Sequence, residues 1–183
     1  MRPDTAFDQL RTARLRLRRS EPRDAEQISA YRSDPDVHAH QGWDRTDPDY
    51  IRSEIEEMLS RAPGEAGGWV QFTVETLDDD RLIGDVGLRV DTDDPGTILV
   101  GYTMDPAVQN KGYATEAVGA LVDYAFDTLG ADLVRAYAEA SNVASIRVAD
   151  KVGMPVVQRF DEREDRQVWH VVRMERRRTP DPR

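Results

Sequence analysis

Between Val100 and Ala117 the residue types point to one kind of chemistry, the binding of an anion. A strand-like run, Val100-Gly101-Tyr102-Thr103-Met104, stops at Asp105-Pro106. A short loop with Lys111 and Gly112 follows, and a helical period starts at once, with Ala114, Val118, Leu121, Ala125 and Leu129 on one face. The backbone N–H groups from Asn110 to Ala114 then have no intrahelical acceptor and stand at the positive end of the helix dipole, a geometry that binds phosphate oxygens. Gly112 lets a ligand approach the backbone, Ala114 leaves room beside it, and Lys111 is one of only two lysines in the chain. The same spacing also fits a plain glycine-assisted helix start. No Gly-Lys-Ser/Thr follows a glycine five residues back, and no Gly-x-Gly-x-x-Gly follows a strand, so nucleotide hydrolysis and dinucleotide binding drop out.

The elements that must hold this loop are legible along the chain. At 183 residues one domain with one core is expected. Its core spans about residues 12–174, with residues 1–10 and 175–183 as loose ends. The order of elements reads β-α-α-β-β-β-α-β-α-β-β. Leu15 to Arg18 forms a first strand, and helices run from Pro22 to about Arg32 and from Tyr50 to Arg61. Strands follow at Trp69–Leu77, Leu82–Val90 and Ile98–Met104, then the helix from Gly112 to Leu129 and a strand at Leu133–Ala138. Asn142 caps a short helix closed by Gly153, and two strands, Val156–Phe160 and Val168–Met174, flank an acidic, Arg-rich hairpin. The fold class is α/β (α+β): a mixed, mostly antiparallel sheet of about seven strands with a central parallel pair, flanked by about four helices.

Composition narrows the function. With no cysteine, neither a disulfide, a thiolate metal site nor a cysteine nucleophile is available. His38-Ala39-His40 has ligand-like spacing but no evident third ligand, so no metal is expected. No apolar run approaches the ~20 residues of a membrane span and no leader is evident, so a cytoplasmic protein is expected. The net charge is −10. Residues 1–20 carry +4 and residues 175–183 carry +2, which leaves −16 on residues 21–174. Such a body repels nucleic acid and favours a cationic partner, although an acidic, lysine-poor surface is also what a high-salt or GC-rich source produces.

Two blocks carry a family resemblance. Gln109-Asn110-Lys111-Gly112-Tyr113-Ala114 resembles the Gln/Arg-x-x-Gly-x-Gly/Ala loop of the GNAT N-acetyltransferase superfamily. Asn142-Val143-Ala144-Ser145-Ile146-Arg147-Val148-Ala149-Asp150-Lys151-Val152-Gly153-Met154 is similar to its Asn-x-x-Ser-x-Arg-x-x-x-Lys-x-Gly-Phe helix, in the variant of the ribosomal-protein N-terminal (alanine) acetyltransferases. The similarity runs from about Thr12 to Arg173 and includes the opening Thr-x-Arg-Leu-x-Leu-Arg at Thr12 to Arg18.

The resemblance implies acetyl-CoA as cofactor, with CoA as product. Amides of Asn110 to Ala114 would hold its pyrophosphate, flanked by Gln109 and Lys111. Strand backbone from Gly101 to Met104, splayed from the Leu133 strand and often bulged, would pair with the pantetheine arm. Asn142 would reach that arm, and Arg147 and Lys151 the phosphates. A backbone N–H near Tyr102, Thr103 or Met104 would polarise the thioester carbonyl. Many members protonate the leaving sulfur with a tyrosine seven residues after the asparagine, but that position is Ala149 here, so Ser145 is the candidate. Glu139 is the candidate base, with Asp85, Glu75 and water as rivals. Trp43, Tyr31 and Asp85 are placed with the acceptor. The implied reaction is acetyl transfer to a primary amine by direct attack in a ternary complex, on a protein N-terminus or else a cationic small molecule such as an aminoglycoside or polyamine. The missing tyrosine also keeps open a non-catalytic CoA-binding module. A monomer or homodimer is expected.

Overall fold

The structure, a computed structural model, describes residues 1–164 and 167–179. Among these, eight strands form one sheet: β1 (Gln9–Arg11), β2 (Leu15–Arg19), β3 (Val70–Thr76), β4 (Leu82–Val90), β5 (Thr97–Met104), β6 (Leu133–Glu139), β7 (Val156–Glu164) and β8 (Gln167–Arg177). Five α-helices accompany them: α1 (Ala25–Arg32), α2 (Pro35–His38), α3 (Pro48–Leu59), α4 (Tyr113–Asp127) and α5 (Val143–Lys151). The sheet order is β1-β2-β3-β4-β5-β6-β8-β7, antiparallel except for β5 and β6. The expected mixed sheet is therefore present. The added strand is β1, and the added helix is α2, capped by Asp34 through the Asp36 amide, between α1 and α3. The middle of the acidic hairpin, residues 165–166, lies outside the described residues, as do residues 180–183 of the C-terminal end.

The two faces of the sheet differ in chemistry. One face sends Leu15, Leu17, Phe72, Val86, Leu88, Ile98, Val100 and Val134 into a core closed by α4 through Val118, Leu121, Val122 and Ala125, all nearly inaccessible to water. The other face is polar and carries α1 and α3, whose Ile28, Tyr31, Ile51 and Ile55 form a smaller cluster with Leu82. On it Arg18 bonds Asp24 (2.8 Å) and Glu75 (2.8 Å), and Thr73 Oγ1 donates to Asp24 (3.0 Å). Burial pushes the Asp24 carboxyl up, but the hydrogen bonds from Arg18 and from the Glu21 amide prevail and hold it below the usual carboxylate range. The N-terminal end is not loose. Arg2 N–H donates to the Leu129 carbonyl (2.8 Å), Tyr124 Oη donates to Asp4 (2.8 Å), and Phe7 packs on Phe72 and Tyr124. At the other end β8 continues to Arg177, and Arg178 N–H donates to the Asp132 carbonyl (2.9 Å).

Candidate active site

Strands β5 and β6 pair only at Thr97–Leu133, Ile98–Val134 and Leu99–Arg135. From Val100 to Met104 one edge of β5 therefore faces no strand, and its backbone groups are available to a ligand. Toward β4 the register is unbroken from Ile98 to Met104; the sheet's irregularities lie at Val74/Glu75 and Val156/Gln158, so no bulge is needed for the splay. The gap is a cleft of about 610 Å³. Eleven of the twelve residues expected around the cofactor line it: Tyr102, Thr103, Met104, Gln109, Asn110, Gly112, Tyr113, Ala114, Asn142, Arg147 and Lys151. Lys111 does not line it.

The loop at the head of α4 is built as an anion cradle. Asp105 accepts from the Ala107 amide (2.9 Å) and starts a 3₁₀ turn at Pro106–Val108 that buries Val108; Asn110 (φ 63°) and Gly112 (φ 82°) then take left-handed backbone. The first amide beyond the loop to find a backbone acceptor is that of Glu116, on the Gly112 carbonyl (3.1 Å). The amides from Asn110 to Thr115 make no backbone hydrogen bond among the described residues. Arg14 straps the loop from outside. Its guanidinium donates to the Lys111 carbonyl (3.1 Å) and to Glu116 (2.7 Å) and lies over the Tyr113 ring (4.5 Å), while Thr12 donates to the same carboxylate (2.6 Å). Burial pushes the Glu116 carboxyl up, and the bonds from Thr12 and Arg14 outweigh it, so Glu116 stays ionised. Lys111, Arg147 and Lys151 have no ion-pair partner among the described residues, in a molecule where most arginines are paired.

Across the cleft, Asn142 caps α5 by accepting from the Ser145 amide (3.0 Å), which commits its oxygen and leaves Nδ2 for a ligand. Ser145 Oγ donates to Tyr102 Oη (2.9 Å), and Tyr102 Oη donates to the Ser145 carbonyl (2.9 Å). Burial pushes the Tyr102 phenol up, with Ser145 opposing it, so the hydroxyl keeps its proton at neutral pH. Sequence reasoning assigned Tyr102 a backbone role only; its phenol was missed, although the alternation of β5 could have aimed it at the α4–α5 side. Glu139 does not line this cleft. Its carboxylate lies 3.3 Å from Nδ1 of His40, which does line the cleft. Among the described residues no group of three or more His, Asp and Glu is placed to hold a metal ion.

A second cavity of about 390 Å³ opens on the other face of β5, lined by Trp43, Tyr50, Glu54, Trp69, Gln71 and Asp85 among others. Both cavities share Gln41, Tyr102 and Thr103. Asp85 is fully engaged, accepting from Arg32 (2.8 Å) and from the buried Tyr31 hydroxyl, so it is poorly suited to act as a base. Tyr31 lines neither cavity; it touches the second one only through its hydrogen bond to Asp85. Trp43 lies over the Arg32 guanidinium at 4.5 Å and does wall the second cavity. Glu75 belongs to the Arg16–Arg18 network and to neither cavity.

The uncharacterized N-acetyltransferase p20 of Bacillus licheniformis is 30% identical to this chain over 148 residues, 80% of this chain and 82% of the relative. RimJ of Mycobacterium smegmatis, solved with a CoA-disulfide, superposes with a TM-score of 0.82 at 19% identity, covering 100% of this chain and 93% of RimJ. The ribosomal-protein-S5-alanine acetyltransferase of Vibrio fischeri superposes with a TM-score of 0.77 at 17% identity, covering 93% and 97%. Residues 14–155 match the family model of the acetyltransferase (GNAT) domain, a span that holds the splayed strands, the amide cradle and the capped α5, and with it this acyltransferase belongs to the GNAT acetyltransferase family.

Proposed function

We propose that the protein transfers the acetyl group of acetyl-CoA to the amine at the N-terminus of a protein, by direct attack in a ternary complex in the cytoplasm. The observation that carries this reading is the meeting of two cavities at Tyr102 and Thr103, one with free amides and unpaired cations, the other aromatic and acidic. RimJ binds CoA in the form of its disulfide, and a ribosomal-protein alanine acetyltransferase shares the fold, which supports both the cofactor and a protein acceptor. The cleft fits the cofactor by its own chemistry: among the described residues six consecutive amides lack backbone acceptors, and Arg147 and Lys151, on its wall, have no ion-pair partner. Bound there, acetyl-CoA supplies the activated acyl group.

The chain's own residues would do the rest. Backbone N–H groups on the free edge of β5 donate to the carbonyl oxygen as charge develops on it. The Tyr102 hydroxyl swings from the Ser145 carbonyl to the departing sulfur and gives it a proton, while Ser145 Oγ keeps donating to Tyr102 Oη and stabilises the phenolate left behind. Tyr102 thus stands in for the tyrosine absent at Ala149. The amine's proton leaves through His40, with Glu139 holding the ring's other nitrogen, or through water. Thiol release from acetyl-CoA, measured with short peptides, with polyamines and aminoglycosides, and with no acceptor, tests the reading. Release with peptides is expected; release only with small amines would replace the acceptor, and no release with any of them would overturn the reading.

A further inference from the structure

The second cavity has a charge balance and an unused hydrogen-bonding group that together describe its occupant. Its Arg32 is paired with Asp85, and its Arg45 with Asp47. Asp44 and Glu54, also on the wall, have no ion-pair or hydrogen-bond partner among the described residues. The wall therefore carries three carboxylates, Asp44, Glu54 and Asp85, against Arg32 and Arg45; Asp44 and Glu54 are left without a direct pair, Glu54 feeling only the field of Arg32, beside indole and phenol rings that favour a cation. A glycine pair also lines the cavity. Gly87 and Gly101 face each other in register, and the Trp69 indole lies over both, in ordinary van der Waals range (3.4 to 3.6 Å) of where a methyl group would stand.

Gln71 is the independent observation. It is 6% exposed, lines the cavity, and its side-chain amide nitrogen has no hydrogen-bond partner among the described residues. A buried amide nitrogen without a partner costs folding free energy, and a water or ligand in the cavity would relieve it. A carboxamide carries a donor and an acceptor on one plane, the complement of a peptide group, whereas a polyamine has no acceptor to offer it.

Resting on the acetyl-transfer reading above, we infer that the acceptor is a peptide N-terminus with a basic side chain one or two residues behind it: its first peptide group pairs with the Gln71 carboxamide, and its cation settles between Glu54 and Asp44. These residues select the acceptor and take no part in the chemistry.

The test is kcat/KM for peptides identical except for Arg, Gln or Glu at the second or third position, with spermidine as the non-peptide probe, in the wild type and in Glu54→Gln, Asp44→Asn and Gln71→Leu. Comparing peptides within each variant cancels any loss of folded protein. The wild type is expected to prefer an Arg peptide over its Gln counterpart by about tenfold, the scale of one partly desolvated ion pair. Glu54→Gln and Asp44→Asn should each compress that ratio, and together bring it near unity. Gln71→Leu should raise KM for all peptides alike and leave the ratio intact. Equal turnover of Arg and Gln peptides by the wild type overturns the inference, as does a ratio untouched in the double variant or spermidine turned over better than any peptide. In each of these results acetyl transfer itself persists, so they are distinct from a failure of the acetyl-transfer reading, in which no acceptor releases thiol.

Discussion

At the scale of single residues, the pair Tyr102–Ser145 is the most exposed to test. The two hydroxyls form a closed hydrogen-bonded ring with the Ser145 carbonyl, so removing either breaks the same device. Tyr102→Phe and Ser145→Ala are each expected to lower kcat by on the order of 10-fold to 10³-fold with acetyl-CoA affinity nearly unchanged, because the interaction at sulfur matters mostly in the transition state. The double variant should lose little more than the worse single one. Steady-state kinetics with isothermal titration separate the two quantities; an unchanged kcat in Tyr102→Phe would reduce the phenol to a packing group. His40 and Glu139 form a second coupled pair, and His40→Ala should lower kcat/KM about as much as Glu139→Gln if the carboxylate acts only through the ring.

At the scale of elements, the loop and α4 work as one unit. Leu121 is fully buried in the middle of α4 against the sheet, and Leu121→Ala should cost about 2–5 kcal/mol in denaturant unfolding. The cradle itself depends on backbone. Acetyl-CoA should raise the melting temperature by preferential binding to the folded state. Gly112→Glu should abolish that shift, since it places a carboxylate at the amides and an L side chain at φ 82°. Arg14→Ala probes the strap alone. Arg14 is half exposed, so its ion pair with Glu116 contributes less than ~1 kcal/mol to stability, yet its loss frees the Lys111 carbonyl and should weaken acetyl-CoA several-fold with kcat preserved. An Arg14→Ala protein with wild-type affinity would show that the loop holds its shape unaided.

At the scale of the molecule, charge acts in two ways. Asp24 and Glu116 both have folded-state pKa values below the usual range, so their contribution is fully present above about pH 4 and is lost as pH falls through the lowered values. Unfolding free energy is expected to be flat from neutral pH down to about 5 and to drop below 4, with a shallower drop in Asp24→Asn. The negative body acts at a distance. For a cationic acceptor kcat/KM should fall as salt shortens the screening length toward ~3 Å near 1 M, while a neutral acceptor responds much less. Measuring both acceptors at each salt concentration removes any effect of salt on the folded fraction, and equal responses would leave the acidic surface as a matter of solubility.

Local signals were enough for the frame. The 3.6-residue apolar period of α4, the cap Asn142, the strand end at Asp105-Pro106, Gly112 after it, and the alternation of β2 to β6 each depend on residues a few positions apart, whose relative placement the chain itself dictates. That is why eleven of the twelve expected cofactor residues line one cleft. β1, three residues long, is too short to show alternation, and α2 goes unread between the first two expected helices because four residues hold no apolar period. The partners of the chemistry were not legible for another reason. Arg14 meets Glu116 across 102 positions, His40 meets Glu139 across 99, and Tyr102 meets Ser145 across 43. With 35 acidic residues in the chain, nothing in local sequence distinguishes Glu54, left bare on a cavity wall, from Glu75, buried under two arginines. Only folding, which spends some carboxylates on buried arginines and leaves others facing a void, decides which of them can meet a substrate.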